Sequence, residues 1–386
     1  MKKKRFLSLL VLGLYVLALA GCWDARELDT LSIVAGIGID TSSQPGEYDF
    51  TILVGKAQKS KSDGESSSQS SPYLLITATA KTMLLAFEQT RMKSSRELFL
   101  HPNQVVIFGK DLAEQGLEPI LDMFIRDHES RLEVWAFVAD GRAGDILSTD
   151  TKQEPIPAAA IERMTQNASG ISKFYGTKMI ELFSRLVDKG TSAIVPIISR
   201  TQEKDSLSLA LSGSAIFIKD KMVGMLNKQE TLGYIFAMGD VEDGVLEVPM
   251  EGGTAALEVS QLSSKASPIL KDGKISIKLN VNALLAIGEL QGFQGQKMDK
   301  LMPQIEKAAA AEIVNKIVNT FLKTQSLKAD IYGYGVSVYK KYPKEWETMK
   351  DDWNNIYSGI ELNVTVKTQL SNTGLIVDSL EMRGTK

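Results

Sequence analysis

At 386 residues, with 44% hydrophobic and 24% charged side chains, the chain has the composition of ordinary globular protein and enough length for two or three domains. Its net charge of −3, with no basic stripe interleaved with aromatics, argues against non-specific nucleic-acid binding. One cysteine and two histidines, His101 and His128, in no HExxH-like spacing, exclude a disulfide framework, a CxxC redox site and a thiolate zinc site.

The chain opens with a secretion signal. Lys2, Lys3, Lys4 and Arg5 form a basic n-region, and Phe6 to Ala18 an apolar h-region. About 15 apolar residues are too few for a comfortable membrane span and suit a signal. Leu19-Ala20-Gly21-Cys22 then reads as a bacterial lipobox. In that reading residues 1–21 are removed, Cys22 Sγ carries S-diacylglycerol, and an N-acyl group on the new terminus can strengthen the anchor. At about 0.8 kcal/mol per buried methylene, two long chains hold a polypeptide stably at a bilayer. A chance cysteine at an ordinary cleavage site and an uncleaved anchor helix are the alternatives. The ordered succession of all three signal regions and the cysteine favours the lipoprotein. No later apolar run approaches a span, so the mature part is expected to be water-soluble and attached at one end.

Leu31 to Asp40 predicts a buried strand, with Glu47 to Lys56 as its partner. Lys59 to Ser71 is polar and Ser-rich and predicts a mobile loop between paired strands. Tyr73 to Ala80 reads as a strand, Lys81 to Lys93 as a helix and Gln104 to Gly109 as a short strand. Asp111 suits the N-cap of a single turn ended by Gly116. Leu117 to Arg126 follows as an amphipathic helix and Glu133 to Ala139 as a strand. After a Pro-bearing connection, Thr149 to Pro157, helices are predicted over Ala158 to Gln166 and Thr177 to Lys189.

From Leu207 short strands take over: Ser214 to Lys219, Lys221 to Leu226, Val245 to Pro249 and Thr254 to Leu262, with a short helix near Glu230 to Phe236. Ile275, Ile277, Leu279 and Val281 alternate after a turn at Asp272-Gly273. Met298 to Lys323 carries the strongest helical stripe of the chain: Leu301, Ile305, Ala309, Ile313, Ile317 and Phe321 on one face, Gln304, Ala311 and Asn315 on the other. Trp346 and Trp353, seven apart, fit two turns of one helix facing one core. Leu362 to Leu370 alternates as a late strand. The expected class is α+β, three tandem mixed α/β domains after a lipoprotein signal peptide. Their boundaries are 22–200 with connecting helices, a small mostly β middle domain at 205–265, and an α+β domain at 266–386.

Chemical motifs are sparse. Gly36-Ile37-Gly38 lacks the third glycine and the following helix of a dinucleotide fingerprint, and no P-loop occurs. Gly333-Tyr334-Gly335 reads as a tight backbone path. Asp122, Asp127, Glu129 and Glu133 lie close in sequence, but their spacing singles out no glycosidase pair. Arg91, Arg96, Arg126 and Arg131 flank apolar segments and could bind an anion or a partner carboxylate, the plainer reading being salt bridges that cap helix ends. No catalytic residue, cofactor site or metal site emerges.

A resemblance does. Cys22-Trp23-Asp24, Glu27-Leu28 and Leu31 to Asp40 resemble the mature start of the Ger(x)C family, the lipoprotein C subunits of GerA-type nutrient germinant receptors of spore-forming bacteria. Arg96 to His101 with Val105 to Gly109, Gly213 to Phe217 with Gly224 and Glu230-Thr231, and Ala329 to Gly335 with Trp346 and Trp353 extend the likeness in order. The resemblance implies three α+β domains and a non-enzymatic, lipid-anchored subunit needed for receptor assembly or signalling in germination. It implies integral-membrane A and B subunits as partners, a place on the outer face of the spore inner membrane, and no direct binding of the small-molecule germinant. Cys22 alone transfers as a site residue. The alternative is a lipid-anchored solute-binding protein of the cell envelope, and a third is an envelope hydrolase with a carboxylate pair.

Overall fold

The computed structural model describes residues 30–56, 71–126, 132–170, 174–204, 206–239, 241, 243–293 and 296–372. Cys22, His128 and nearly all of the Ser-rich segment lie outside them.

Among the described residues nine strands form the first sheet: β1 (Leu31–Thr41), β2 (Tyr48–Gly55), β3 (Tyr73–Ala80), β4 (Glu97–Phe99), β5 (Val105–Phe108), β6 (Trp135–Ala139), β7 (Ile194–Glu203), β8 (Ser206–Ile218) and β9 (Lys221–Asn227). Their order is β3-β2-β1-β5-β6-β7-β8-β9, with β4 also on β1. The β1-β5-β6-β7 centre is parallel, and antiparallel hairpin partners flank it on both sides. Parallel strands covered on both faces read as continuous apolar runs, which is why β1 is LSIVAGIGID rather than an alternating sequence.

One face is covered by α1 (Met83–Lys93), α2 (Lys110–Gln115), α3 (Glu118–Arg126) and α6 (Met179–Val187). The other is covered by α4 (Ala143–Leu147) and α5 (Pro157–Gly170). The Gly36-Ile37-Gly38 run lies inside β1 beneath the second pair. A Cβ on Gly36 would stand 3.1 Å from Leu147 and 3.2 Å from Ala158, so these glycines let helices approach the sheet.

The second sheet has the order β10-β11-β12-β13, built from β10 (Val245–Met250), β11 (Gly253–Lys271), β12 (Lys274–Gly292) and β13 (Glu361–Asn372). β13 returns parallel to β12. The long helix α8 (Met298–Ser326) buries all six residues of the predicted stripe, while Gln304, Ala311 and Asn315 are exposed. Helix α7 (Lys228–Met238) crosses α8 at Gly233, where a Cβ would meet Lys316 O at 2.3 Å. The chain ends its helical part with α9 (Tyr334–Lys341), α10 (Pro343–Met349) and α11 (Trp353–Tyr357).

Three expectations differ from this architecture. The stretch 205–265, read as a separate middle unit, is divided: β8 and β9 extend the first sheet, whereas β10 and β11 open the second. The change of pattern at Leu207 is a return strand, turned at Lys204 in the left-handed region (φ 48) with Glu203 paired to Ser206. Trp346 and Trp353 share a core, edge to face with centroids 5.2 Å apart, but sit on α10 and α11 rather than on one helix. Strand β7 had no counterpart in the sequence reading. Its core end, Ile194, belongs with Ile216 and Leu226 to the same apolar cluster as the α8 stripe, so the two sheets share a core.

Candidate functional site

The most elaborate polar arrangement lies where the two sheets meet. Asp330 follows α8 and is wholly buried. Its Oδ2 accepts from Gly335 N (2.8 Å) and Trp353 Nε1 (3.0 Å), and its Oδ1 from Tyr332 N (3.2 Å). Burial pushes the carboxyl up to about 6, against the lowering by these donors. Its backbone carbonyl accepts from Ser192 N (2.7 Å), at the entry to β7. The Ala329–Gly335 segment is thereby fixed to the amino end of the parallel strands. Gly333 is in the left-handed region (φ 70), and Gly335 passes directly over Gly190. The GYG triplet is the tight path expected of it.

Arg185, from α6, bridges the same junction. Its guanidinium donates to Ile331 O (2.8 Å), Ser192 O (3.3 Å), Tyr175 Oη (3.1 Å) and Tyr234 Oη (3.3 Å). Desolvation acts to depress its pKa, but the two tyrosines outweigh it and the guanidinium stays protonated. Tyr234, one of its acceptors, joins Tyr332, Tyr334, Tyr357 and Phe321 in an aromatic cluster whose ring centroids lie 5.1–6.3 Å apart. An open cleft of about 880 Å³ runs along the outside of this junction, between Leu121 and Phe183 of the first unit and Trp353 and Asn354 of the second. Lys189 and Asp351 pair across it at 2.7 Å.

The carboxyl end of the parallel strands is where open α/β sheets usually hold ligands. Here the chain fills that place itself. Asp40, at the end of β1, accepts from Ala143 N (2.7 Å) and Gly144 N (3.0 Å) and so caps α4. Burial raises its pKa, and Arg142 lies 3.8 Å away. Gly109 approaches so closely that a Cβ would stand 2.2 Å from Asp40 Oδ1.

The residues singled out on sequence do not converge. Asp122 pairs with Arg126 at 2.7 Å on the surface, and Glu133 pairs with Lys178. Arg91 faces Glu97 at 3.9 Å, which is the surface salt-bridge role expected of it. His101 stacks on Phe99. Asp127, Glu129 and Arg131 lie outside the described residues, as does Cys22. No group of three or more His, Cys, Asp or Glu able to hold a metal ion occurs among the described residues, and none of their helices is long and apolar enough to cross a membrane. Arg185 and the role of Asp330 were not read from sequence. The one available signal for Asp330 was its place inside the Ala329–Gly335 motif.

The fold is thus a two-sheet α+β body welded at a buried polar junction, and comparison with other proteins gives it a family. Residues 24–200 match the family described as spore germination protein N-terminal domain, and residues 212–374 match spore germination B3/GerAC-like, C-terminal. The chain belongs to the Ger(x)C family. It is 27% identical over 402 residues to spore germination protein KC of Bacillus subtilis (strain 168), covering 97% of each chain. It is 26% identical over 375 residues to spore germination protein A3 of the same organism, covering 95% of this chain and 98% of the other. The crystal structure of the GerBC protein superposes with a TM-score of 0.55 at 18% identity, over 90% of this chain and 100% of that one. The residues that carried the resemblance in the second half now have structural duties. Glu230 closes a reciprocal capping box with Asn227 and accepts from Lys323 of α8 (2.6 Å). Gly224 makes room for Leu327, and Trp353 holds Asp330.

Proposed function

We propose that the chain is the lipid-anchored C-type subunit of a spore nutrient germinant receptor, acting in receptor assembly or signalling rather than in catalysis. The observation that carries this is the pair of spore-germination family matches, which together span residues 24 to 374 and begin two positions after Cys22. In this reading Cys22 bears the diacylglyceryl group and the body rests on the outer face of the spore inner membrane. Its partners are the integral-membrane A and B subunits. Tethering raises the local concentration of partners, so weak contacts give high occupancy.

A lipid-anchored solute-binding protein would need two bodies that close on a ligand about a hinge. The Gly190–Gly335 crossing and the buried Asp330 and Arg185 bonds oppose such a motion. Metabolic labelling of the wild-type chain and Cys22→Ala with an alkyne fatty acid tests the anchor. Label on wild type alone is expected, and label retained by the variant would refute the assignment. Co-purification of the A and B subunits from detergent-extracted spore membranes tests the partnership. Recovery without either subunit would refute it.

A further inference from the structure

The outward side of the second sheet carries a charge pattern that folding does not explain. Along β11 and β12 the residues Ala266, Pro268 and Leu270 pair with Leu279, Ile277 and Ile275 and face the core. Their alternates therefore share the outer face: Lys265, Ser267, Ile269 and Lys271 on β11, and Lys274, Ser276, Lys278 and Asn280 on β12. Asp272 and Gly273 form the two-residue turn, both in the left-handed region (φ 49 and 73), as an Asp-Gly type I′ hairpin requires. That tight turn sets Lys271 directly opposite Lys274. Like charges in directly opposed positions destabilise a sheet. Among the described residues no carboxylate forms an ion pair with Lys265, Lys271, Lys274 or Lys278, all of them exposed, and Glu361 of β13 shares their face opposite Ser276 without pairing with them.

Ile269 stands in the middle of this group. It pairs with Ser276, has Lys271 two positions along its own strand, and has Lys274 and Lys278 at the diagonal positions. It is 41% exposed on a face otherwise polar. An exposed branched apolar side chain ringed by unpaired ammonium groups, at the tip of a hairpin, matches the requirements of a charged lipid interface. The lysines meet the headgroup layer, and the isoleucine reaches toward the acyl boundary.

We infer that this hairpin face is a docking surface for anionic phospholipid headgroups, a membrane contact additional to the acyl anchor. Charge complementarity selects the occupant. All four cations are lysines, mobile point charges suited to a diffuse array of phosphates. Recognition of a single carboxylate or phosphate in a protein partner favours the bidentate fork of arginine. The surrounding chain is net acidic, at −3, so the patch is a local segregation of charge and not a reflection of a basic protein. That a membrane is at hand rests on the reading of the chain as membrane-tethered.

The test uses the acyl-free mature chain, residues 22–386 with Cys22→Ala, so that binding owes nothing to the anchor. Co-sedimentation is measured with vesicles of phosphatidylglycerol and phosphatidylcholine, and with phosphatidylcholine alone. Binding to the anionic vesicles only, abolished by high salt, is expected. Each lysine removed should weaken it about five-fold, so Lys271→Gln with Lys274→Gln and Lys278→Gln should lose on the order of 100-fold. A second triple variant of equal charge change on exposed positions around α8, Lys297→Gln with Lys300→Gln and Lys307→Gln, should bind like wild type. Ile269→Ser should lose several-fold, a smaller effect. Equal binding to neutral vesicles, no binding to anionic ones, or wild-type binding by the first triple variant would overturn the inference. None of these outcomes bears on labelling at Cys22, so the two readings fail independently.

Discussion

Gly190 and Gly335 touch backbone to backbone. A Cβ on Gly335 would lie 2.6 Å from Gly190 Cα, and one on Gly190 would lie 2.7 Å from Val336 N. The contact is sealed by Val336 N donating to Gly190 O at 3.2 Å. Since both obstacles are main chain, neither can yield by changing a rotamer.

Gly335→Ala should therefore part the two strands of chain and disturb Asp330, whose Oδ2 holds Gly335 N. Overpacking of this kind costs roughly 1–3 kcal/mol, about 1–4 °C in Tm for a chain of this size. Gly273→Ala is the comparison: its φ of 73 is strained, but open space surrounds it, so the loss should be about 1 kcal/mol. If Gly335→Ala melts no lower than Gly273→Ala, the crossing is not as rigid as its geometry implies.

Asp330 makes stability depend on pH. Its carboxyl is raised to about 6 in the fold, above its ordinary 3.8. The folded chain therefore holds this proton more tightly than the unfolded chain does. Its contribution is full below about pH 4 and is lost as pH rises through about 6, after which it is flat. The loss is of order 3 kcal/mol. Asp330→Asn removes the titration and sets an amide NH₂ against backbone donors. Denaturant unfolding at pH 4.5 and 7.5 should show wild type gaining on itself at the lower pH relative to the variant. A wild-type-minus-variant difference that stays constant over this range would contradict the assignment.

Ile313 is 0% exposed at the centre of the α8 stripe, whereas Asn315 is exposed on the opposite side. Ile313→Asp would bury an unpartnered carboxylate, costing several kcal/mol, a large share of a domain's stability. Asn315→Asp should be mild. Circular dichroism melts decide the matter: comparable Tm values for the two variants would mean that the stripe is not core.

The second sheet and its long helix were legible because their environment is simple. Ile275 to Val281 has one wet and one dry face, and the α8 stripe is buried along its whole length while the opposite side stays exposed. The tryptophan contact was legible too, but not the break between α10 and α11 near Asp352 that puts its two rings on separate helices. β7 was hidden by Pro196, which lacks the N–H a central strand needs. The structure resolves the conflict locally. β6 pairs with β7 only at Ile197 and Ile198, while Trp135 bridges to Lys178, so Pro196 lies beyond the β6–β7 ladder. The buried roles of Asp330 and Arg185 depend on partners far along the chain, such as Trp353 and Ile331. No local pattern announces those. The lysine ring around Ile269 needed the register of two strands before its shared face could be seen.

Arg185 and the carbonyl it holds at Ile331 are 146 residues apart in sequence. Synthesis delivers the chain amino end first, so the side chain waits through most of the second half of the polypeptide before its acceptor exists. Until then the lower edge of the first sheet is incomplete, with Ile194 and Ile216 lacking the apolar cluster they share with α8. Folding of the two halves is consequently not sequential in the usual domain-by-domain sense. A chain cut short anywhere before Ile331 should leave its earlier half unfinished, a prime substrate for quality-control proteases, and only complete copies acquire a resistant body.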